Sequence, residues 1–77
     1  MKFKHREVLL KRFGKRLRAL RESAGVSQEG LAMKAGLDRT YMGGVERGER
    51  NVSLVNLVRI ANALDMPLSK LLEEIEL

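Results

Sequence analysis

The segment 38–51, DRTYMGGVERGERN, combines hydrogen-bonding and cationic side chains at the spacing of a short helix. On a helix that begins at Arg39, the apolar positions 42 and 45 point inward, which leaves the opposite face to Arg39, Thr40, Gly43 and Arg47. A guanidinium can donate two hydrogen bonds to guanine O6 and N7, and a threonine can bond a base edge or pack its methyl group on thymine. Arg39 and Thr40 are therefore predicted to read bases in a DNA groove. The alternatives for Arg39 are a phosphate contact or an ion pair with Asp38 or Glu46.

Two adjacent glycines interrupt this predicted helix, although each costs about 1 kcal/mol relative to alanine in a helix interior. Gly43 follows Arg39 by four residues and shares its face. Its missing side chain is predicted to let the helix lie deep in the groove or the backbone meet the bases, so Gly43 joins the base-reading set. Gly44 is predicted to allow close packing where the third helix crosses the second. The alternative for both is a weak helix without function.

Apolar periodicity and capping residues predict the elements that position this face. A first amphipathic helix ends at Gly25, and its predicted inward positions are Leu9, Phe13, Leu17, Leu20 and Ala24. Ser27 caps a second helix, and Asp38 caps a third helix that begins at Arg39. Only a tight turn at residues 35–37 separates them. This arrangement predicts a helix-turn-helix over residues 27–47, whose second helix would enter the DNA major groove.

The rest of the chain predicts two further helices, so the fold class is all-α, with one domain over residues 1–77. Ser53 caps a fourth helix, in which the positions spaced for burial are Leu54, Leu57, Val58, Ala61 and Leu64. Pro67 opens a fifth helix, whose apolar side carries Leu68, Leu71, Leu72 and Ile75. Residues 1–7 are predicted to form a flexible tail.

Composition and charge narrow the classes of function. The 77 residues contain no cysteine, so no disulfide or thiolate metal site is available, and the apolar run at residues 8–10 is too short for a signal peptide or membrane span. The net charge of +5 is unevenly distributed along the chain. Residues 1–50 hold 13 Lys/Arg and 6 Asp/Glu, whereas residues 51–77 hold 2 Lys/Arg and 4 Asp/Glu. The basic half is expected to face a polyanion, and the alternative is a solvated surface.

The motifs of residues 27–72 resemble those of the lambda-repressor-like (Cro/XRE) helix-turn-helix family. The matching parts of SQEGLAMKAGLDRTYMGGVERGERNVSLVNLVRIANALDMPLSKLL are SQE.LA, the turn before TY, the exit ERG.R, the helix L..IA.AL and the following LS.LL. The resemblance extends over about residues 13–75 and implies a compact five-helix domain. RTY followed by GVERGERN, in so short a chain, is most similar to the small controller proteins of restriction-modification operons.

The resemblance implies roles for residues around the groove helix. Gln28 matches the family's phosphate-clamping glutamine, and its alternative is a surface glutamine without a role. Position 43 more often carries serine or another polar residue in the family. Backbone contacts are also expected of Tyr41, Arg47, Arg50 and Asn51, with a base or the minor groove as a second possibility for Arg50. Arg47 has the alternative of an ion pair with Glu46 or Glu49, and Asn51 that of a turn residue.

The function expected is sequence-specific regulation of transcription by a homodimer on a pseudo-palindromic double-stranded DNA operator. The C-terminal helices, residues 53–75, would carry the dimer surface through Leu68, Leu71, Leu72 and Ile75, unless these only close the core of one chain. Bound protein would repress by blocking RNA polymerase or activate by contacting it, in a bacterial or phage cytoplasm at the nucleoid. The alternative is a protein-interaction module such as an antitoxin or adaptor.

The residue types that catalysis or cofactor chemistry would need are not found together in the sequence. No pairing of a nucleophile with a base, no metal-ligand cluster and no phosphate-binding glycine loop is present. We therefore expect no enzymatic activity, no metal or other cofactor and no small-molecule ligand.

Overall fold

The computed structural model describes residues 5–75, and in this range it contains five α-helices and no strand. The helices are α1 (Arg6–Ser23), α2 (Gln28–Ala35), α3 (Arg39–Glu46), α4 (Leu54–Ala63) and α5 (Leu68–Leu71). The predicted all-α, five-helix fold class is confirmed. Residues 1–4 of the predicted flexible tail lie outside the described residues, whereas residues 6 and 7 belong to α1, so the tail prediction is wrong for those two.

Three predicted N-caps and one predicted helix end are confirmed. Ser27 Oγ accepts a hydrogen bond from the Gly30 N–H at 2.9 Å, and Ser53 Oγ accepts one from the Asn56 N–H at 3.1 Å. Asp38 caps α3 in the same way. Each cap satisfies N–H groups that have no partner inside the first turn of a helix. Gly25 follows α1 with a φ of 70°, the left-handed conformation that terminates a helix.

The apolar core lies between α1, α2 and α3 on one side and α4 and α5 on the other. Its largest fully buried side chains are Leu17, Leu31, Met42, Val45, Ile60 and Leu71. Burial of one such side chain stabilises a fold by roughly 1.5–3 kcal/mol. Two of the six lie on α3, so the inward face of this short helix is anchored in the core, whereas Arg39 and Thr40 in its first turn remain exposed.

The inward face of α1 is rotated from the predicted one. Leu10, which was not in the predicted set, is buried, and Leu9 is only half-buried. Ala24 is exposed because the helix ends at Ser23. Phe13 and Leu17 are buried as predicted, and Leu20 is half-buried.

The inward face of α4 also differs from the predicted one. Leu54 and Val58 are exposed, and Ile60 is fully buried in their place beside Ala61 and Leu64. Residues four apart share one face of a helix, so Leu54 and Val58 form a separate apolar row that the core does not cover.

The fifth helix is shorter than predicted, because it ends at Leu71 rather than near residue 75. Arg16 Nη2 donates to the carbonyl oxygen of Lys70 at 2.9 Å, and the same oxygen accepts a hydrogen bond from the Glu73 N–H at 3.2 Å, so two bonds hold the C-terminal end of α5. Glu74 then takes a positive φ of 68°, which an α-helix cannot contain.

The contact between α1 and the end of α3 depends on Gly14. A Cβ atom built on Gly14 would collide with the carbonyl oxygen of Glu46 and would lie 2.8 Å from that of Val45. Only glycine lets the backbones of the two helices approach this closely. The contact fixes α3 to the longest helix of the fold, a role for Gly14 that the periodicity of the sequence did not reveal.

Candidate nucleic-acid interface

The turn between α2 and α3 has the geometry of the predicted helix-turn-helix. Gly36 ends α2 with a φ of 69°, and the Leu37 N–H donates to the Ala32 carbonyl at 2.9 Å. Asp38 then accepts hydrogen bonds from the N–H groups of Thr40 at 2.8 Å and Tyr41 at 3.2 Å. These contacts fix both sides of the turn, so the angle between α2 and α3 is set by the backbone.

Arg39 and Thr40 lie on the exposed first turn of α3, where the prediction places the base-reading side chains. The Arg39 side chain is 70% exposed, and its guanidinium lies 3.5 Å from a Glu29 carboxylate oxygen on α2. This partner is neither of the two carboxylates considered from the sequence. An exposed pair of this kind contributes little, about 0–1 kcal/mol, so Arg39 can leave Glu29 for a nucleic acid at small cost.

Gly43 is buried beneath two side chains that the prediction assigns to the DNA backbone. A Cβ atom built on it would lie 3.2 Å from Gln28 Oε1 and 3.1 Å from Arg47 Nη1. The missing side chain of Gly43 therefore gives room to the Gln28 carboxamide on α2. The contact of Gly43 with DNA bases stays a prediction.

Gly44 does not lie where the prediction placed it. The nearest atoms to a Cβ built on Gly44 all belong to Arg50, with Cγ at 2.9 Å, Nε at 3.3 Å and Cδ at 3.7 Å. The prediction that Gly44 allows α3 to pack on α2 is wrong, because the glycine that lies against an α2 side chain is Gly43. Residues 43 and 44 are a little over one-quarter turn apart on a helix, so their missing side chains face different neighbours.

Gln28 is held by a buried ion pair that the sequence reading missed. Arg21 donates to Glu46 through Nε at 2.6 Å and through Nη2 at 3.0 Å, and Gln28 Nε2 donates to Glu46 Oε1 at 3.1 Å. The Arg21 and Glu46 side chains are only 12% and 4% exposed. Arg21 donates a further hydrogen bond through Nη1 to the Val26 carbonyl at 2.9 Å. The network joins α1, α2 and α3 directly behind the predicted DNA-binding surface.

The charges of this pair stabilise each other. The hydrogen bond with Glu46 raises the pKa of Arg21, against a smaller opposing effect of burial. A signal for the pair was present in the sequence: Glu46 follows Met42 by four residues and so lies on the inward face of α3. A carboxylate there requires a cationic partner.

Two other residues predicted to bind the DNA backbone make side-chain contacts within the protein. The Tyr41 hydroxyl accepts a hydrogen bond from Asn56 Nδ2 at 3.2 Å, which ties α3 to α4. Arg47 Nε lies 3.1 Å from a Glu49 carboxylate oxygen, and the hydrogen bond from Arg47 lowers the pKa of Glu49. Glu49 is one of the two alternative partners of Arg47 named from the sequence.

Arg50 and Asn51 are exposed at the exit from α3. Asn51 also borders an apolar groove of about 310 Å³, whose other lining residues are Leu9, Leu10, Phe13, Val52, Leu57, Leu72 and Ile75. The lining comes from α1, the loop between α3 and α4, α4 itself and the C-terminal segment.

The residues predicted to form a dimer surface differ in burial. Leu71 is fully buried and closes the core of the chain itself, as the alternative reading held, whereas Leu68 and Ile75 are half-buried and Leu72 is 40% exposed. The largest exposed apolar side chains near them lie on α4, namely Leu54 at 67%, Val55 at 63% and Val58 at 40%. The sequence reading had assigned Leu54 and Val58 to the core.

Residues 5–75 contain no group of three or more His, Cys, Asp or Glu side chains placed to hold a metal ion. Over the same residues, no helix has both the length and the apolar character needed to cross a membrane.

Comparisons with known proteins agree with this geometry. Residues 12–73 match the family described as "Helix-turn-helix domain". The chain is 50% identical over 66 residues to control protein C.MunI of Mycoplasma sp, which is 84% of this chain and 89% of that protein. It is 45% identical over 62 residues to control protein C.BamHI of Bacillus amyloliquefaciens, or 79% of this chain and 76% of that protein.

A solved structure gives the same result for the fold. The restriction-modification controller protein C.AhdI from Aeromonas hydrophila superimposes with a TM-score of 0.79 at 60% sequence identity, covering 80% of this chain and 94% of that chain. The resemblance inferred from the motifs is thereby confirmed. The chain belongs to the helix-turn-helix domain family, and within it is similar to controller proteins of restriction-modification systems.

Proposed function

We propose that the protein is a sequence-specific, double-stranded DNA-binding regulator of transcription that controls a restriction-modification operon. The observation that carries the proposal is the exposed first turn of α3, where Arg39 and Thr40 lie at the surface and Arg39 is 3.5 Å from Glu29 in the first turn of α2. The kind of operon is inferred from the names of the relatives, which are control proteins of restriction-modification systems. An enzymatic activity is not part of the proposal, because these relatives are control proteins.

Base recognition is assigned to the first turn of α3. Arg39 would release Glu29 and donate its two parallel bonds to a guanine, a contact worth about 1–3 kcal/mol of discrimination. Thr40 would contact the neighbouring base. Gly43, which Gln28 and Arg47 cover in the free protein, would let α3 approach the groove floor once these two side chains turn to the phosphates.

Backbone recognition is assigned to side chains on both sides of that turn. Gln28 uses one amide hydrogen for Glu46, which leaves the second for a phosphate oxygen at the N-terminus of α2, where the helix dipole also favours an anion. Tyr41, Arg47, Arg50 and Asn51 would complete the phosphate contacts. Arg47 must leave Glu49 to do so, at little cost because both side chains are 60% exposed.

A homodimer is proposed as the binding species. One domain of this size makes few contacts with DNA, and a twofold dimer doubles them on a pseudo-palindromic operator. Exposed Leu54, Val55 and Val58 on α4, with exposed Leu72, supply apolar side chains for this dimer surface. Leu68 and Ile75 would extend it. The two α3 helices would enter half-sites about 34 Å apart.

Regulation follows from occupancy in this proposal. Since dimerisation and operator binding are linked by mass action, occupancy would rise steeply with protein concentration. A bound dimer would repress by covering the promoter or activate by touching RNA polymerase beside it. The proposed setting is the bacterial cytoplasm, with the protein at the nucleoid.

The test is a selection of bound fragments from genomic DNA at two salt concentrations, followed by sequencing. Wild type is compared with Arg39→Ala and with Arg18→Ala, which removes the same charge from an exposed position on α1. We expect wild type and Arg18→Ala to enrich a twofold-symmetric sequence and Arg39→Ala to retain only salt-sensitive, non-selective binding. Equal and weak retention of all fragments by the three proteins would contradict the proposal and favour a protein-binding module such as an antitoxin or adaptor.

The dimer is tested separately by sedimentation or light scattering over a range of concentrations. Leu54→Asp is expected to shift the protein to monomer, and Met33→Asp, at an exposed methionine on α2, serves as the control. An unchanged mass for Leu54→Asp would place the dimer surface elsewhere.

A further inference from the structure

We propose that Arg16 of α1 is a positioning residue for the dimer surface, because it holds in place the segment that follows α5. This segment, residues 72–75, is called the C-terminal strap below. The inference rests on the homodimer of the proposed function and names the contact that shapes its surface. The affinity of one copy for another would then depend on a cation that lies largely within each copy.

The C-terminal strap is held only weakly by its own backbone. The N–H groups of Leu72 and Glu73 still bond to carbonyls of α5 at 3.1 and 3.2 Å, but the Ile75 N–H lies 3.4 Å from the Leu72 carbonyl, which is long for a hydrogen bond. A positive φ of 68° at Glu74 turns the chain out of the helical path. The position of the strap therefore depends on side chains from elsewhere in the fold.

One guanidinium joins the strap to the end of α5. Arg16 Nη2 donates to the Lys70 carbonyl at 2.9 Å, and Arg16 Nη1 donates to a Glu74 carboxylate oxygen at 3.4 Å. The N–H groups of a guanidinium lie in a rigid plane, whereas a lysine ammonium is a point charge on a flexible stem. Arg16 thus fixes residue 74 relative to the end of α5, and Leu72 lies between these two points of the chain.

The strap carries two of the residues assigned to the dimer surface. Leu72 and Ile75 line the apolar groove together with side chains of α1 and α4. One of the α4 residues is Leu57, which follows exposed Leu54 by three positions and so neighbours it on the helix. Leu57 therefore connects the groove wall formed by the strap to the exposed apolar side chains at the start of α4.

A second copy of the chain is the partner that fits this surface. The lining residues of the groove described above are apolar apart from Asn51, and Leu54 and Val55 on the adjoining helix are the exposed apolar side chains that could enter such a groove. A twofold dimer brings the same patch of both copies together, so a patch with both a groove and protruding side chains can complement itself. A strap that moves would change the shape of that groove.

The Arg16 contact is weak enough to respond to salt. Arg16 Nε is buried and has no hydrogen-bond partner among residues 5–75, and an unpaired buried donor offsets part of what the other two bonds contribute. The Glu74 side chain is 76% exposed, so added salt screens its attraction to Arg16. Burial of apolar surface does not depend on such screening. The contribution of Glu74 to dimer affinity is therefore expected to fall as the salt concentration rises.

The experiment measures the dissociation constant of the homodimer by sedimentation at low and at high sodium chloride concentration. Arg16→Met is expected to raise this constant about tenfold, and Arg16→Lys nearly as much. Glu74→Gln is expected to raise it about two- to fivefold at low salt and to leave it unchanged at high salt. The matched control is Glu22→Gln, whose carboxylate also lies 3.4 Å from an arginine of α1, and it is expected to have no effect.

Hydrogen exchange separates this role from a general loss of stability. In Arg16→Met at a concentration where it is monomeric, the amides of Leu72 and Glu73 are expected to exchange faster, while the amide of buried Met42 keeps its wild-type rate. Faster exchange of all three amides would overturn the inference, because it is the result of a destabilised fold. Glu74→Gln alters only an exposed side chain, so it tests the inference independently of how the Arg16 variants fold.

The wild-type protein decides between the two levels of the proposal. If it forms a dimer that Glu74→Gln and the Arg16 variants do not weaken, the inference is overturned and the homodimer stands. If it stays monomeric at every concentration, the homodimer of the proposed function is refuted, and the role of Arg16 is refuted with it.

Discussion

Removal of the Glu46 carboxylate is expected to destabilise the fold strongly. The carboxylate is 4% exposed and accepts three hydrogen bonds, two from Arg21 and one from Gln28. Breaking one side of a buried pair costs about 3–5 kcal/mol, because the other charge is left without compensation. At 0.05–0.15 kcal/mol per residue, the whole fold is stable by roughly 4–12 kcal/mol. Glu46→Ala is therefore expected to remove a quarter or more of this free energy and to lower Tm by at least ~12 °C.

The measurement is urea and thermal unfolding followed by circular dichroism at one fixed protein concentration. The matched control is Glu22→Ala, which removes a carboxylate that is 57% exposed and lies 3.4 Å from Arg18. That control is expected to change stability by no more than about 1 kcal/mol. A loss for Glu46→Ala as small as that of the control would refute the reasoning, since it would mean that the pair is effectively solvated.

A double variant separates stability from binding. Arg21→Met with Glu46→Leu replaces both charges by apolar side chains of similar volume, a change that is often neutral or stabilising for a buried pair. The variant is expected to fold but to bind DNA more weakly, with the same loss for all sequences, because Gln28 no longer has the acceptor that orients its amide. In wild type the pair acts throughout the neutral range: the pKa of Arg21 is raised, so its contribution is complete below the ordinary pKa and is lost only as pH rises through the raised one.

Three further predictions concern single side chains. Gly14→Ala is expected to destabilise the fold by about 1–3 kcal/mol in urea unfolding, because the added methyl group meets carbonyl groups of α3; no loss would show that the helices can separate freely. Glu49→Gln is expected to raise DNA affinity at low salt by up to about fivefold, since Arg47 is freed and a negative charge is removed; an unchanged affinity would mean that Arg47 does not contact DNA. The same rise in affinity is expected for wild type when the pH falls through the lowered pKa of Glu49, because protonation of that carboxylate also frees Arg47. Tyr41→Phe is expected to cost about 0.5–1.5 kcal/mol through the lost hydrogen bond from Asn56, and an equal stability would show that the bond is exchanged for water.

Features of the fold that depend on neighbours along the chain were predictable from the sequence. The caps Ser27, Asp38 and Ser53 bond to N–H groups two or three residues away, and the Gly36 turn closes on the helix just before it. Such contacts depend on residue type and spacing alone. The helix-turn-helix could therefore be predicted almost completely.

Features that depend on distant residues were predicted less well. Periodicity gives an apolar face for α4 but does not say which part of it the core covers; the helix packs against α2 and α5, and Leu54 and Val58 remain exposed. The partner of Arg39 is likewise on another helix, at Glu29. The Arg21–Glu46 pair joins residues 25 apart: the inward position of Glu46 indicates that a cation is needed, but no local pattern identifies Arg21 as that cation.

The glycines near α3 differ in what an added methyl group would meet, and this difference assigns their roles. Against Gly14 lie backbone carbonyls, which cannot move without separating α1 from α3. Against Gly43 lie the ends of the Gln28 and Arg47 side chains, and against Gly44 lies the Arg50 side chain from Cγ to Nε; these side chains can move while the helix stays in place. A larger residue at position 14 should therefore lower stability, whereas one at 43 or 44 should redirect side chains on the DNA-facing surface. Gly43 and Gly44 lower the helix propensity of α3 but make room for these side chains. The effect of replacing either glycine is therefore expected in DNA binding rather than in the free energy of unfolding.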